Sequence, residues 1–290
     1  MTERKVMLIF GHGYTATVLS RQLLARGWRV IGTTRDESRL AEMRDLGVEG
    51  RIWPGTDVAP DISEATHILQ SIAPNEQGDP VLRQLGGLIA ERGEGLQWLG
   101  YLSTTAVYGD HQGGWVDETT PPDPATRRGQ WRVAAEGAWQ DLAASNGLPL
   151  HLFRLAGIYG PGRGPFAKIR AGTARRIIKK NQVFSRIHVE DIAQVLLASI
   201  ARPDPGATYN VCDDEAAPPQ DVIGHAADLL GLPVPPAEDF ETAEMSPMAR
   251  SFYAESKRVR NDRIKNELGI KLIYPSYREG LAALLRQTQT

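Results

Sequence analysis

The sequence predicts an α/β fold, a doubly wound parallel sheet with a smaller C-terminal lobe, on three observations. Five short apolar runs alternate with helix-like stretches, a glycine-rich turn follows the first run, and no repeat or low-complexity linker sets the C-terminal part aside. The runs are "KVMLIF" (5–10), "RVIGTT" (29–34), "THILQSI" (66–72), "LQWLGYLST" (96–104) and "LPLHLFRLAG" (148–157). Between the first two, "ATVLSRQLLARG" puts Val18, Leu19, Leu23 and Leu24 on one helical face and stops at Gly27, which completes a βαβ unit. Farther on, "VEDIAQVLLASIARPDPG" (189–206) predicts an amphipathic helix ended by Pro203. "PQDVIGHAADLLGLPVPP" (219–236) predicts another, terminated by Gly231 and Pro233. The expected division is residues 1–157 for the sheet half and 158–290 for the lobe, interleaved around 187–212.

A chain of 290 residues can bury a sizeable core. Its 33 basic and 35 acidic side chains nearly balance, so nothing in the bulk charge asks for nucleic acid or a membrane surface, and a small molecule is the expected partner. The start, "MTERKVMLIFGHGY", has five apolar residues before the glycines, too few for a signal peptide's apolar region or a membrane span. Cys212 is the only cysteine, and the six histidines lack metal-ligand spacing. The expectation is a cytoplasmic protein without a metal, for which a homodimer is a compatible assembly.

"FGHGYTA" (10–16) carries G-x-G-x-x-A between the first strand and the first helix. Gly11 suits the tight turn, Gly13 the close approach of a pyrophosphate, and Ala16 close helix–strand packing, while the helix N-terminus offers N–H groups to the phosphates. This is the Rossmann arrangement, and Gly11, His12, Gly13, Tyr14, Thr15 and Ala16 are the expected dinucleotide contacts. The His12 side chain is expected to point to solvent. An acid about 20 residues on would take the adenosine ribose, yet Thr33, Thr34 and Arg35 stand there and suit a 2′-phosphate. The reading favours NADP, with NAD as the alternative if Asp36 takes the ribose.

Four further segments, "LSTTAVYGD" (102–110), "PATRRGQWRVAAE" (124–136), "RLAGIYGPGR" (154–163) and "IHVEDIA" (187–193), follow the glycine loop, with "YNVCDDE" (209–215) as a weaker match. Together they resemble the extended short-chain dehydrogenase/reductase family, the NAD(P)-dependent epimerases and dehydratases, over about residues 5 to 230. The resemblance implies that Thr104, with Ser103 beside it, holds a substrate oxygen, and that Ser71, Ile72 and Ala73 line the nicotinamide ribose and phosphates. "IYGPGR", with Ile158, would line the cofactor and substrate mouth. The family's catalytic tyrosine and lysine fall on Arg128 and Arg132, as in atypical members of the superfamily. Arginine stays protonated and cannot exchange a proton, but it could stabilise a developing alkoxide.

The resemblance also implies that Tyr108, His111, Tyr159 and His188 lie nearby as candidate proton donors, each with a packing, solvated-loop or turn-supporting alternative. "KIRAGTARRIIKKNQVFSR" (168–186) concentrates basic residues where, the resemblance implies, the substrate lobe handles a nucleotide diphosphate; this suits an anionic substrate such as a sugar nucleotide, the alternative being a solvated helix face. Trp115, Trp131 and Trp139 could floor a pocket, though core packing is the commoner use of such aromatics. Two functions follow: an NADP(H)-dependent oxidoreductase or epimerase with an atypical site, or a non-catalytic NADP(H)-binding redox sensor or partner-binding module.

Overall fold

In the computed structural model, which describes residues 5–287 apart from the side chains of Glu94 and Met248, the first apolar run becomes β1 (Val6–Phe10), buried at every position. A strand covered on both faces shows no polar side, which is why the run does not alternate. α1 (Tyr14–Leu24) turns Ala16, Leu19 and Leu23 inward. Gly27, with φ 76°, donates its N–H to Leu24 O and leads the chain out of the helix. Then come β2 (Arg29–Thr34), α2 (Arg39–Leu46), β3 (Glu49–Ile52), α3 (Ala59–Glu64), β4 (His67–Gln70), α4 (Pro80–Ala90), β5 (Trp98–Thr104), α5 (Arg127–Asn146), β6 (Leu150–Leu155) and, near the C-terminal third, β7 (Thr208–Val211).

These seven strands form one parallel sheet in the order β7-β6-β5-β4-β1-β2-β3. β1 lies between β2 and β4, Leu8 facing Ile31 on one side and Ile68 on the other. The order reverses there, so the loops leaving β1 and β4 open a crevice at the strands' carboxyl ends. β3 was not visible as an apolar run because it is an edge strand whose four residues are only half-buried. Its charges are matched laterally, Glu49 by Arg29 at 2.7 Å and Arg51 by Asp61 at 2.9 Å, and polar edges of this kind also deter pairing with other chains.

The chain divides into two compact units. One comprises Met1–Thr104, Gln130–Arg154 and Ala193–Tyr209, and its core gathers Leu8, Phe10, Ile68, Leu99, Tyr101 and Trp139. The other comprises Thr105–Gly129, Leu155–Ile192 and Asn210–Thr290, with a smaller core around Tyr159, Phe166, Ala226, Tyr277 and Leu281. In this second unit the basic run 168–186 is not one helix face. α6 (Phe166–Arg170) is followed by Gly172 at φ 65°, which breaks it, and by a strand, Arg176–Ile178, paired with Ala237–Asp239. Arg175 pairs with Glu238, and Arg186 turns inward to donate to Phe184 O and Ala217 O. The two expected helices are α7 (Val189–Ala201) and α8 (Pro219–Leu230), the latter capped by Gly231 at φ 64°. Among the described residues no helix is long and apolar enough to cross a membrane, and no group of three or more His, Cys, Asp or Glu could hold a metal ion.

Candidate functional site

The glycine loop is pinned from β2. Gly11 N–H donates to Thr33 Oγ1 (2.9 Å) and His12 N–H to Thr33 O (2.7 Å), so Thr33 turns its hydroxyl oxygen to the loop and is 1% exposed. Thr33 thus shapes the turn through its accepting oxygen. Gly13 caps α1 with no side-chain hydrogen bond, and no acid stands in the first turn. An uncapped helix start of this kind carries N–H groups and partial positive charge suited to an anion. A Cβ placed on Gly13 would meet only Gly11 O, at 3.9 Å, so the space over it is open. These features fit a dinucleotide pyrophosphate. Tyr14 is half-buried, and Thr15 and Ala16 are buried against the sheet.

His12 departs from expectation. Its side chain is 2% exposed, packs against Gly32 and places Nε2 2.9 Å from Ser20 Oγ. Gly32 leaves the room: a Cβ there would come within 2.8 Å of the imidazole. Burial first, then the Arg39 charge, pushes His12 down to about 4, so the ring is neutral near pH 7. Arg39, which sequence reasoning missed, donates from Nη1 to His12 O at 2.7 Å. Arg35 is exposed at the end of β2. Thr34 Oγ1 accepts from Asp36 N–H at 3.1 Å, and Asp36 is itself engaged by Ser38, whose hydroxyl and N–H, followed by the Arg39 charge, hold its carboxyl below the usual range.

The loop after β4 meets the glycine loop directly. Ser71 N–H donates to Phe10 O (2.9 Å), and a Cβ on Gly11 would lie 2.7 Å from Ile72 Cγ1. Ser71 and Ile72 are half-buried and Ala73 is exposed, so the expected contacts from 11–16 and 71–73 share one end of the sheet.

At the end of β5, Thr104 is half-buried, whereas Ser103 is buried and its hydroxyl donates to Glu136 Oε1 on α5. Glu136 also pairs with Arg154 of β6 at 2.7 Å, both side chains being under a tenth exposed. Ser103 thus belongs to a buried network rather than to an open surface. Arg132 donates from Nη1 to Leu102 O (2.7 Å) and to Tyr101 Oη (3.1 Å), with its guanidinium 5.5 Å from the Tyr101 ring centre. Burial raises the Tyr101 phenol despite the opposing Arg132 charge, so Tyr101 stays protonated. Arg128, in the first turn of α5, is exposed. Gly129 beside it is required by packing, because a Cβ would fall 2.7 Å from Pro124 and 3.1 Å from Ala106 O.

The other candidate proton donors are engaged. Tyr108 donates to Asn210 Oδ1 (2.7 Å) and Tyr159 to Ser276 O (3.2 Å), with burial the main influence raising the Tyr159 phenol. His111, expected in a solvated loop, is half-buried, with Nε2 3.0 Å from Tyr108 O. His188 Nδ1 accepts from Glu190 N–H at 3.2 Å, supporting the turn into α7, and burial lowers it to about 4. Ile158 is half-buried in a short strand facing Ile187. Trp139 is fully buried, Trp131 half-buried, and Trp115 is 55% exposed with the Arg260 guanidinium 5.3 Å from its ring centre.

The sequence model of the NAD dependent epimerase/dehydratase family matches residues 88–212, which span β5, the arginine-bearing helix and β7. Over these residues the chain carries that family's pattern. It is similar over 99% of its length to all of a functionally unknown conserved protein from Silicibacter pomeroyi DSS, with 62% identity and a TM-score of 0.93. Protein YeeZ of Escherichia coli K12 is 29% identical over 286 residues, covering 93% of this chain and 97% of that one. A UDP-glucuronic acid 4-epimerase from Bacillus cereus in complex with NAD shares the fold, with a TM-score of 0.76 at 16% identity over 98% of this chain and 100% of that one.

Proposed function

We propose that the chain is a member of that family, binds NADP(H) and acts as an oxidoreductase or epimerase on a small anionic carbonyl or hydroxyl compound, sugar nucleotides being one such class. The observation that carries the reading is the uncapped N-terminus of α1 beneath the open face of Gly13. Residues 1–157 would hold the cofactor and 158–290 mainly the substrate, in a cytoplasmic setting. NADP is preferred because Arg35 is exposed at the end of β2 and Arg39 is docked on the glycine loop, two guanidinium groups where an acid would serve a free ribose diol.

When bound, the nicotinamide supplies or accepts hydride. The chain's own part is to hold and polarise. The α1 N-terminus would hold the pyrophosphate, residues 71–73 would hold the nicotinamide half, and Thr104 would hydrogen-bond the substrate oxygen. Arg128 or Arg132 would stabilise negative charge on that oxygen. The basic residues of 168–180 favour an anionic substrate, and the B. cereus neighbour's UDP-glucuronic acid is of this chemical kind. A second reading, a non-catalytic NADP(H) sensor, is favoured by one observation: Arg132 has a structural task on Leu102 and Tyr101.

Calorimetric titration tests the cofactor assignment. NADPH is expected to bind at least about tenfold tighter than NADH, and Arg35→Ala or Arg39→Ala to remove most of that difference, since a charge-assisted phosphate contact contributes about 1.5–3 kcal/mol. Equal wild-type affinities for the two nucleotides contradict the NADP assignment.

A further inference from the structure

Asp79 stands at the N-terminus of α4, 3% exposed, with both carboxylate oxygens in use. Oδ1 accepts from Val81 N–H (2.8 Å) and Leu82 N–H (3.1 Å), capping the helix. Oδ2 accepts from Gln70 Nε2 (2.7 Å) and from Trp139 Nε1 (3.1 Å) on α5. Capping needs only the first oxygen. The second reaches back to the last residue of β4 and across to the helix that carries Arg128 and Arg132.

Gln70 is fully buried, and its amide folds over its own loop. Oε1 accepts from Ile72 N–H (2.8 Å), while Nε2 donates to Ile72 O (3.3 Å) as well as to Asp79. A carboxylate can only accept, so Asp79 fixes which end of the amide faces it. A flipped amide would set Oε1 against the carboxylate and leave the Ile72 N–H without its acceptor. Ile72 in turn closes on Gly11 so tightly that a Cβ at Gly11 would come within 2.7 Å of Ile72 Cγ1.

We infer that Asp79 is a positioning residue for the cofactor loop: through Gln70 it holds Ile72 against the glycine turn, and through Trp139 it ties that loop to α5. The inference rests on the dinucleotide reading proposed above. The floor under the pyrophosphate is thereby set from outside the glycine motif, and a charge-assisted bond within a buried network makes that setting stiff. The loop at 71–73 and the helix bearing the two arginines share one anchor. Asp79 touches neither cofactor nor substrate in this role.

Two variants separate positioning from capping. Asp79→Ser keeps a capping oxygen but is too short to reach Gln70 and Trp139, and Gln70→Leu leaves the cap intact while removing the brace on Ile72. Hydrogen exchange at the Ile72 amide in the nucleotide-free protein and the calorimetric Kd for NADPH are read together. Exchange at Ile72 is expected to quicken, and Kd to rise, by about tenfold or more in both variants, as for a lost charge-assisted bond. Trp139→Phe, which removes one donor and keeps an aromatic, though smaller, side chain, is expected to shift Kd less. Should Gln70→Leu fail to fold, Asp79→Asn, which accepts either amide orientation, carries the same test. Unchanged Ile72 exchange overturns the positioning role alone, as does faster exchange with unchanged Kd. A wild type that takes no NADPH overturns it together with the nucleotide reading.

Discussion

Gly13→Val is expected to abolish dinucleotide binding while thermal stability shifts little. Gly13 has φ −104° and ψ −156°, extended backbone that any residue adopts, and a Cβ there enters open space. The added methyl groups would occupy the volume through which the pyrophosphate approaches the α1 N-terminus, and a loss of about a hundredfold or more in affinity follows if two charge-assisted bonds fail. Gly11→Ala is expected to differ by destabilising the fold as well. Its φ of 82° and the 2.7 Å approach to Ile72 Cγ1 cost on the order of 1–3 kcal/mol of stability, and the displaced Ile72 weakens binding too. Calorimetry with NADPH and thermal melts of both variants distinguish the two glycines. Normal binding by a folded Gly13→Val protein would reduce the glycine motif to a turn.

Glu136→Ala is expected to cause the larger loss of stability, about 3–5 kcal/mol, because it strands Arg154 as an uncompensated buried charge. The Ser103 hydroxyl loses its acceptor in the same step. Replacing the pair together by Glu136→Leu and Arg154→Met is expected to cost much less, since apolar isosteres of a buried ion pair are often tolerated. Urea denaturation measures both. A Glu136→Ala loss below about 1 kcal/mol would mean that Arg154 finds water or another partner.

Much of the fold was legible because buried parallel strands write continuous apolar runs. β1, β2 and β5 stand within two residues of the runs that announced them, and G-x-G-x-x-A lies between strand and helix as its mechanism requires. β3 was not legible, since an edge strand made of Glu49, Gly50, Arg51 and Ile52 satisfies its charges sideways and leaves no apolar signature. In the site, residue type identified the neighbourhood but not the direction of each side chain. Thr33 and His12 face inward, to the loop N–H and to Ser20, because Gly32 makes room for the imidazole. Ser103 faces Glu136 for a reason thirty-three residues away in sequence. Arg39 could have been suspected as a second base one helical start after Arg35. Asp79 carried only the ordinary signal of an N-cap before Pro80, which says nothing of its other oxygen.

The arginines on α5 carry the central claim that hydride chemistry proceeds with a fixed positive charge where the family's proton-exchanging pair falls. Stopped-flow absorbance of protein-bound NADPH, mixed with a panel of anionic carbonyl compounds, tests it most directly. The account predicts single-turnover oxidation of NADPH by at least one of them, slowed about 10²–10³-fold in Arg128→Ala, as for loss of an oxyanion-type donor, with NADPH affinity unchanged. A wild type that binds NADPH and oxidises it with none of the panel would contradict the account and leave the sensor.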